Sequence, residues 1–344
     1  MAKKVSIADI AKSLGVSKSL VSLVINDKAD KHNISPETQK KVREKITELN
    51  FKPDHFARSF RMGKTNTIGL IVSDISNRFY SRIARNIEDY AWDHGYTVII
   101  CSTDEDVEKE KQQIRLLRDR KIDGLIISSS QESADCFNKL ADSSFPHVLI
   151  DRKFDNMLST NVSVDNHGGS CLAARHLLSQ GFTDFAIITI SPEHISTISD
   201  RISGFTNTLK EAGIEISSEW FVRAPFDQIE DAVKESIQRF YLSGNMPRAI
   251  FTLNNNLTST CLKYLRKLSV RIPEDVALIG FDDVLYFGFT QPSISAIRQP
   301  VDRISENAFQ LLLRQIEKEQ IQEENRSVLL PVDIIIRESS TKNN

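Results

Sequence analysis

The chain has 344 residues, 40% hydrophobic and 26% charged, with a formal net charge of −2 at pH 7, the balance of a water-soluble globular protein with room for two or three compact units. No apolar run approaches the ~18 residues needed to cross a bilayer, and the opening MAKKVSIADIAKS has basic residues with no apolar stretch behind them, so a cytoplasmic location without a membrane partner is expected. Cys101, Cys136, Cys171 and Cys261 are scattered without a Cys-x-x-Cys pair, and the seven His show no metal-ligand spacing, which sets aside a disulfide framework, a metal centre and any metal cofactor.

The first elements are short helices. Ile7, Ile10, Ala11 and Leu14 recur at i, i+3, i+4 and i+7, one apolar helical face, and Ser6 with Asp9 makes a capping-box start. Gly15-Val16-Ser17 supplies a tight turn in which Gly accepts a left-handed backbone and Ser17 caps the next helix. In that second helix Leu20, Val21 and Val24 can face inward, leaving Lys18, Ser19, Ser22 and Leu23 outward. A third helix begins at Ser35-Pro36, with Val42, Ile46 and Leu49 as its inward stripe. Two helices and a turn in about twenty residues are the smallest common device for placing a helix in the DNA major groove. Charge agrees: residues 1–64 hold fourteen Lys or Arg against seven Asp or Glu, leaving thirty basic and thirty-nine acidic residues for the rest. A basic head on an acidic body concentrates attraction to phosphate in the head.

Beyond Asn66 the pattern becomes strand then helix, repeated. Apolar runs lie at Ile68–Val72, Val98–Cys101, Gly124–Ile127, Val148–Ile150, Phe185–Ile188, Ala249–Phe251 and Val276–Ile279. Helical patterns between them include Phe79–His94, Val107–Arg118, His167–Ser179, Gly204–Ala212 and Asn255–Lys267. Continuous apolar strands alternating with helices predict parallel sheets covered on both faces, and the length fits two of them. The runs end as IGLIVSD, DGLIISSS, HVLID, AIITIS, AIFTLNN and VALIGFDD, so polar residues collect where parallel sheets bind ligands, at the carboxyl ends of strands. Each such residue taken singly is equally a cap for the following helix. Carboxylates, amides and an Arg beside aromatic rings suit a small polyhydroxylated ligand, the rings covering its apolar faces. No Gly-x-Gly-x-x-Gly follows a strand, and neither a phosphate-binding loop ending Gly-Lys-Ser/Thr nor a Gly-x-Ser-x-Gly elbow is present, so an enzyme is not expected.

The segments IADIAKSLGVSKSLVSLVIN, SPETQKKVREKITELNFKPDHFARSF, TIGLIVSDISNRFYSRIARNIED, RISGF, IPEDVALIGFDD and ISAIRQP closely resemble, in order, those of the LacI/GalR family of bacterial transcription regulators, over residues 4–338. The resemblance implies an N-terminal all-α helix-turn-helix head and an α/β core of two doubly wound parallel-sheet subdomains, periplasmic-binding-protein-like of type I. It implies a head at 1–50, a hinge helix and linker at 51–66, one core subdomain at 67–161 with 293–323, and a second at 162–292 with 324–340. It also implies a homodimer on a palindromic double-stranded operator. The tail ESSTKNN has no leucine heptad, so a tail-driven tetramer is not expected.

By the same resemblance the DNA-binding positions are Ser6, Ser17, Lys18, Ser19, Ser22, Leu23 and Asn26 in the head and Arg58, Phe60 and Arg61 in the hinge. Lys18 can donate to guanine, Ser19 to several base edges, and Leu23 either touches a thymine methyl or packs within the head. The frequent Thr-Val-Ser-Arg run is here Leu20-Val21-Ser22-Leu23, so no relative's operator carries over. Asp54–Arg61 is about two turns long, too short to stand alone in water, and should order only against its dimer mate and DNA. Phe60 stands where the family usually has Leu, either as a wedge in the minor groove or as packing between the two hinge helices. The implied effector positions are Asn77, Phe79, Tyr80, Asp151, Arg201, Phe226, Asn254 and Asp282. Arg78 replaces a common Pro and Asn255 the usual Asp of an Asn-Asp pair, Asn255 acting either as a helix cap or on the ligand.

The function so implied is a sequence-specific regulator, in the first instance a repressor. Its operator affinity is set by a small effector, a sugar or sugar derivative, that closes the core differently and so changes hinge-helix stability. A purine effector, a phosphocarrier-protein effector, and a solute-binding receptor are the alternatives. The basic head and missing export signal speak against the receptor.

Overall fold

The computed structural model describes residues 5–49, 51, 64–154 and 156–342. The chain forms two compact units, Met1–Thr65 and Asn66–Asn344. The expected hinge helix, with Arg58, Phe60 and Arg61, lies outside the described residues.

In the first unit α1 is Ile7–Leu14, α2 Lys18–Ile25 and α3 Pro36–Glu48. The local chemistry sets their ends. The Ser6 hydroxyl accepts from the Asp9 backbone N–H and the Asp9 carboxylate accepts from that of Ser6, completing the capping box. Gly15 closes α1 at φ 68°, a backbone that costs glycine nothing. Ser17 caps α2 through the Leu20 N–H, and Ser35 caps α3 through that of Thr38, with Pro36 in the first turn. Ile10, Val21 and Val42, one from each helix, are wholly buried against one another.

The second unit holds two six-stranded sheets. In chain order, the first five strands and their helices are β1 Thr67–Val72, α4 Arg78–Asp93, β2 Thr97–Ser102, α5 Val107–Asp119, β3 Gly124–Ile127, α6 Asp135–Asp142, β4 His147–Ile150 and β5 Thr160–Val164. Next come α7 Asn166–Ser179, β6 Phe185–Ser191, α8 Ser196–Glu211, β7 Phe221–Pro225, α9 Ile229–Leu242, β8 Ala249–Thr252, α10 Asn255–Lys267, β9 Ala277–Phe281 and β10 Ser295–Arg298. Last are α11 Val301–Ile316, β11 Ser327–Leu330 and β12 Asp333–Ile335. One sheet runs β2-β1-β3-β4-β5-β11 and the other β7-β6-β8-β9-β10-β12, so both reverse strand order at the same point of their winding. Among the described residues every pairing is parallel except that of β12 with β10, an antiparallel edge outside the all-parallel expectation. The central strands β3, β4, β8 and β9 are buried along their whole length, as strands covered on both faces must be.

Sheet membership moves each internal boundary later than expected. The boundary at residue 161 falls inside β5, which pairs with β4, so the first crossing follows Val164. The return at 293 would precede β10, yet β10 pairs with β9, and the chain crosses only after Arg298. The last crossing, placed at 324, lies between Leu330 and Asp333, because β11 pairs with β5.

Candidate functional site

In the head, Lys18, Ser19, Ser22, Leu23 and Asn26 follow at i, i+1, i+4, i+5 and i+8 along α2, one side of the helix. Lys18 and Ser19 are exposed; Ser22 and Leu23 are half-buried. Leu23 is not among the apolar side chains packed on the head's core, unlike its neighbour Leu20. Asn26 closes α2, its Nδ2 donating to the Ser22 carbonyl at 2.7 Å, while Ser6 and Ser17 are the caps of α1 and α2. Capping therefore sets where α1 and α2 begin, and α2 presents a short polar face with one apolar member.

In the core, the carboxyl ends of both sheets face one cavity, and all eight implied effector positions line it: Asn77, Phe79, Tyr80, Asp151, Arg201, Phe226, Asn254 and Asp282. Two of them serve both readings of polar residues after strands. Asn77 caps α4 through the Phe79 N–H at 3.0 Å, and Asn254 caps α10 through the Leu257 N–H at 2.8 Å. Arg78 occupies the first position of α4, where a Pro is equally at home. Asp151 and Asp282 are not the N-cap residues of the helices that follow their strands. They follow the last residues of β4 and β9 with φ of 68° and 71°, left-handed conformations that Asp tolerates better than most residues at a cost of about 1–3 kcal/mol. That strain holds two carboxylates at equivalent corners of the two sheets.

The side chains are tied into two buried networks. On the first sheet, the Tyr80 hydroxyl donates to Asp151 Oδ2 at 2.9 Å, and Arg152 Nη1 donates to Glu105 Oε2 and the Ser129 carbonyl, both at 2.8 Å. Burial pushes the Tyr80 phenol well above its ordinary value, which keeps it a neutral donor. Burial alone would also push Glu105 up, but the Arg152 guanidinium beside it outweighs burial and holds the carboxyl below its usual range. On the second sheet, Arg201 stacks 3.7 Å over the Phe281 ring, donates from Nε to Asn166 Oδ1 at 2.8 Å and from Nη1 to the Leu253 carbonyl at 2.7 Å. Gln299 Nε2 donates to Asp282 Oδ1. Burial raises the Asp282 carboxyl above its ordinary value, against the pull of Arg201 and Gln299.

Direct bonds join the halves. Asn255 Nδ2 donates to Asn77 Oδ1 at 2.9 Å, the Lys153 N–H donates to Ser196 Oγ at 2.9 Å, and Lys153 Nζ pairs with Asp200 at 2.9 Å. Asn255 is therefore no cap, since Asn254 holds that role; it is a bridge between the halves. Four buried polar atoms here find no hydrogen-bond partner among the described residues: Asp151 Oδ1, Arg152 Nε, Asn255 Oδ1 and Gln299 Oε1. Such atoms are rare in folded proteins and collect where a polar molecule binds.

Glu105, Arg152 and Gln299 line the cavity and were not among the implied positions. A signal existed for two of them: Arg152 follows Asp151 in HVLIDRK, and Gln299 lies in the family-like segment ISAIRQP. Nothing in STDEDVEK singles out Glu105.

Two family models match this chain, one described as bacterial regulatory proteins of the lacI family over residues 6–54 and one as a periplasmic binding protein-like domain over residues 174–340. The HTH-type transcriptional repressor PurR of Vibrio vulnificus is 30% identical over 342 residues, 98% of this chain and 99% of that protein. Among solved structures, the lac repressor dimer bound to operator and the anti-inducer ONPF superposes with a TM-score of 0.85 at 21% identity, over 99% of this chain and 100% of that one. A periplasmic binding protein/LacI transcriptional regulator from Alkaliphilus metalliredigens complexed with D-xylulofuranose has a TM-score of 0.69 at 28% identity, over 80% of this chain and 100% of that one. Among the described residues no helix is long and apolar enough to cross a membrane. With helix-turn-helix head, paired doubly wound sheets and full-length relatives in agreement, the chain belongs to the LacI family of bacterial regulatory proteins and is a DNA-binding transcription regulator.

Proposed function

We propose that this regulator is a cytoplasmic, homodimeric repressor whose grip on a palindromic operator is set by a sugar or sugar derivative held between the two halves of the core. The observation that carries the reading is the cavity itself. Asp151, Asp282, Arg201 and Asn254 surround it together with the rings of Phe79 and Phe226, and unpartnered polar atoms stand at its walls. Hydroxyls answer the polar groups and the rings cover apolar sugar faces. The relative that carries D-xylulofuranose supports the same ligand class. On the head, Lys18, Ser19 and Leu23 are the base-reading side chains, with Ser6, Ser17, Ser22 and Asn26 beside them. Arg58, Phe60 and Arg61 extend the contact through the hinge. Linkage completes the mechanism: an effector that prefers the free or the DNA-bound form changes operator affinity by that same ratio.

A thermal-shift screen of monosaccharides, oligosaccharides and purines, with operators selected from random duplexes, tests this. A saccharide is expected to stabilise the full-length protein and alter operator affinity, and Arg201→Ala is expected to lose that response while binding the operator normally. An unchanged dissociation constant for the saccharide in Arg201→Ala would show the cleft assignment wrong. A response to purines alone would replace the carbohydrate reading, since phenyl rings also stack nucleobases.

A further inference from the structure

We infer that the effector carries no negative charge, and that Glu105 makes the cleft refuse phosphorylated and acidic ligands by neutralising Arg152. The inference rests on the reading of this cleft as the effector site.

Five charged side chains line the cavity: Glu105, Asp151 and Asp282 against Arg152 and Arg201. Carboxylates thus outnumber guanidiniums by one. Arg152 is fully matched by a carboxylate, and Arg201 is held largely by neutral groups. Arg152, 5% exposed, meets Glu105 through both terminal nitrogens, and Nη1 also donates to the Ser129 carbonyl at 2.8 Å. Arg201, 6% exposed, gives Nε to Asn166 and Nη1 to the Leu253 carbonyl, with Asp282 Oδ2 4.0 Å from Nη1. A phosphate or carboxylate entering here would leave water for a site where carboxylates outnumber cations and Arg152 is already neutralised by Glu105.

The wholly buried unpartnered atoms point the same way. Of those on residues that line the cavity, two are acceptors, Asp151 Oδ1 and Gln299 Oε1, and Arg152 Nε is the one donor. A complementary ligand brings O–H or N–H groups to those acceptors; a phosphate monoester brings oxygens that mostly accept. Glu105 is the controlling group because it stands on the α5 side of the cleft, removed from Asp151 in sequence, and Arg152 is its cationic partner among the described residues. Exchanging its carboxylate for an amide keeps the shape and one acceptor for Arg152 while releasing one positive charge into the cavity.

The test uses full-length protein, titrated calorimetrically with neutral monosaccharides, disaccharides and purine bases, each paired with its phosphate ester, nucleotide or sugar acid. Binding is expected among the neutral members, with each charged counterpart at least about tenfold weaker, and Glu105→Gln is expected to narrow that ratio. A charged member binding as tightly as its neutral counterpart, or a panel in which no neutral member binds, overturns the inference. A neutral purine base binding where every sugar fails would remove the carbohydrate reading and leave this inference standing. The ratio in the unmodified protein decides the charge of the effector even where the variant does not fold, and an unchanged ratio in folded Glu105→Gln overturns the role of Glu105.

Discussion

Asn255→Asp restores the residue usual in the family at this position, and the geometry predicts that it harms this protein. Asn255 is wholly buried, and its Nδ2 donates across the cleft to Asn77 Oδ1 at 2.9 Å. Asn77 cannot turn its amide to help, because the same Oδ1 accepts from the Phe79 N–H at 3.0 Å as the cap of α4. The introduced carboxylate would face an acceptor, with the Asp282 carboxylate already taking the backbone N–H of residue 255. Losing one neutral hydrogen bond costs about 1 kcal/mol and leaving a buried polar group unsatisfied about 1–3 kcal/mol more. The N-terminus of α10 favours a negative charge and returns at most about 1 kcal/mol. The closed cleft should therefore lose about 1–3 kcal/mol, a shift of roughly 5- to 150-fold in closed over open forms. Effector affinity falls with the closed fraction. The assay is urea denaturation of both full-length proteins across pH, with small-angle scattering to follow opening. The introduced carboxyl has a folded pKa above its unfolded value of about 3.9, so the deficit should be absent below about pH 4 and grow as pH rises through the folded value. Equal stability at neutral pH, or a deficit that grows on acidification, would refute this account of the bridge.

The head was readable almost residue by residue because its ends are local chemistry: Ser6 with Asp9, Gly15, Ser17 and Ser35-Pro36 each fix a boundary within one turn. The central strands were readable because strands buried on both faces are unbroken apolar runs. What escaped is what depends on distant partners. Strand β5 reads TNVSV, yet its Asn161 is buried and its Nδ2 donates to the Arg152 carbonyl at 2.8 Å, a polar strand stabilised by a neighbour rather than by pattern. Helix α8 begins at Ser196, eight residues before the apolar signal at Gly204, because its first turns are polar where they line the cleft with Thr197 and Arg201. The crossings of the chain between sheets were misplaced because a crossing is decided by which strand it pairs with, and Ser295–Arg298 carries no local mark of its partner. The site follows the same division. Asp151 and Asp282 were visible as polar residues ending strands, whereas Glu105 matters through distant partners, Arg152 47 positions away and Ser130, and Gln299 through Asp282.

Two further outcomes test the packing of the core. Gly204→Ala should destabilise it by about 1–3 kcal/mol in urea denaturation despite a helix-propensity gain near 1 kcal/mol, since a Cβ there would lie 2.3 Å from the His167 carbonyl oxygen of α7, a backbone atom that cannot swing aside; an unchanged midpoint would show that α7 and α8 separate freely. The second outcome concerns acid. His147 is buried with Nδ1 2.7 Å from the Phe145 carbonyl and Nε2 2.6 Å from Ser159 Oγ. Nδ1 therefore carries the proton, Nε2 accepts, and the ring is neutral in the fold. Burial holds its pKa below the ordinary 6.5, outweighing the Phe145 carbonyl. Because the folded value is the lower one, the unfolded chain takes up the proton first, so stability is full above about pH 6.5 and falls as pH drops toward the folded value. His176, also lowered by burial, adds to the slope with the same sign. The unfolding free energy should decline as pH drops below about 6.5, and His147→Gln should decline less over that interval, because a neutral side chain removes one proton-linked loss. Parallel slopes for the two proteins would mean that the ring is charged in the fold or open to water, and the hydrogen-bond assignment would fail with it.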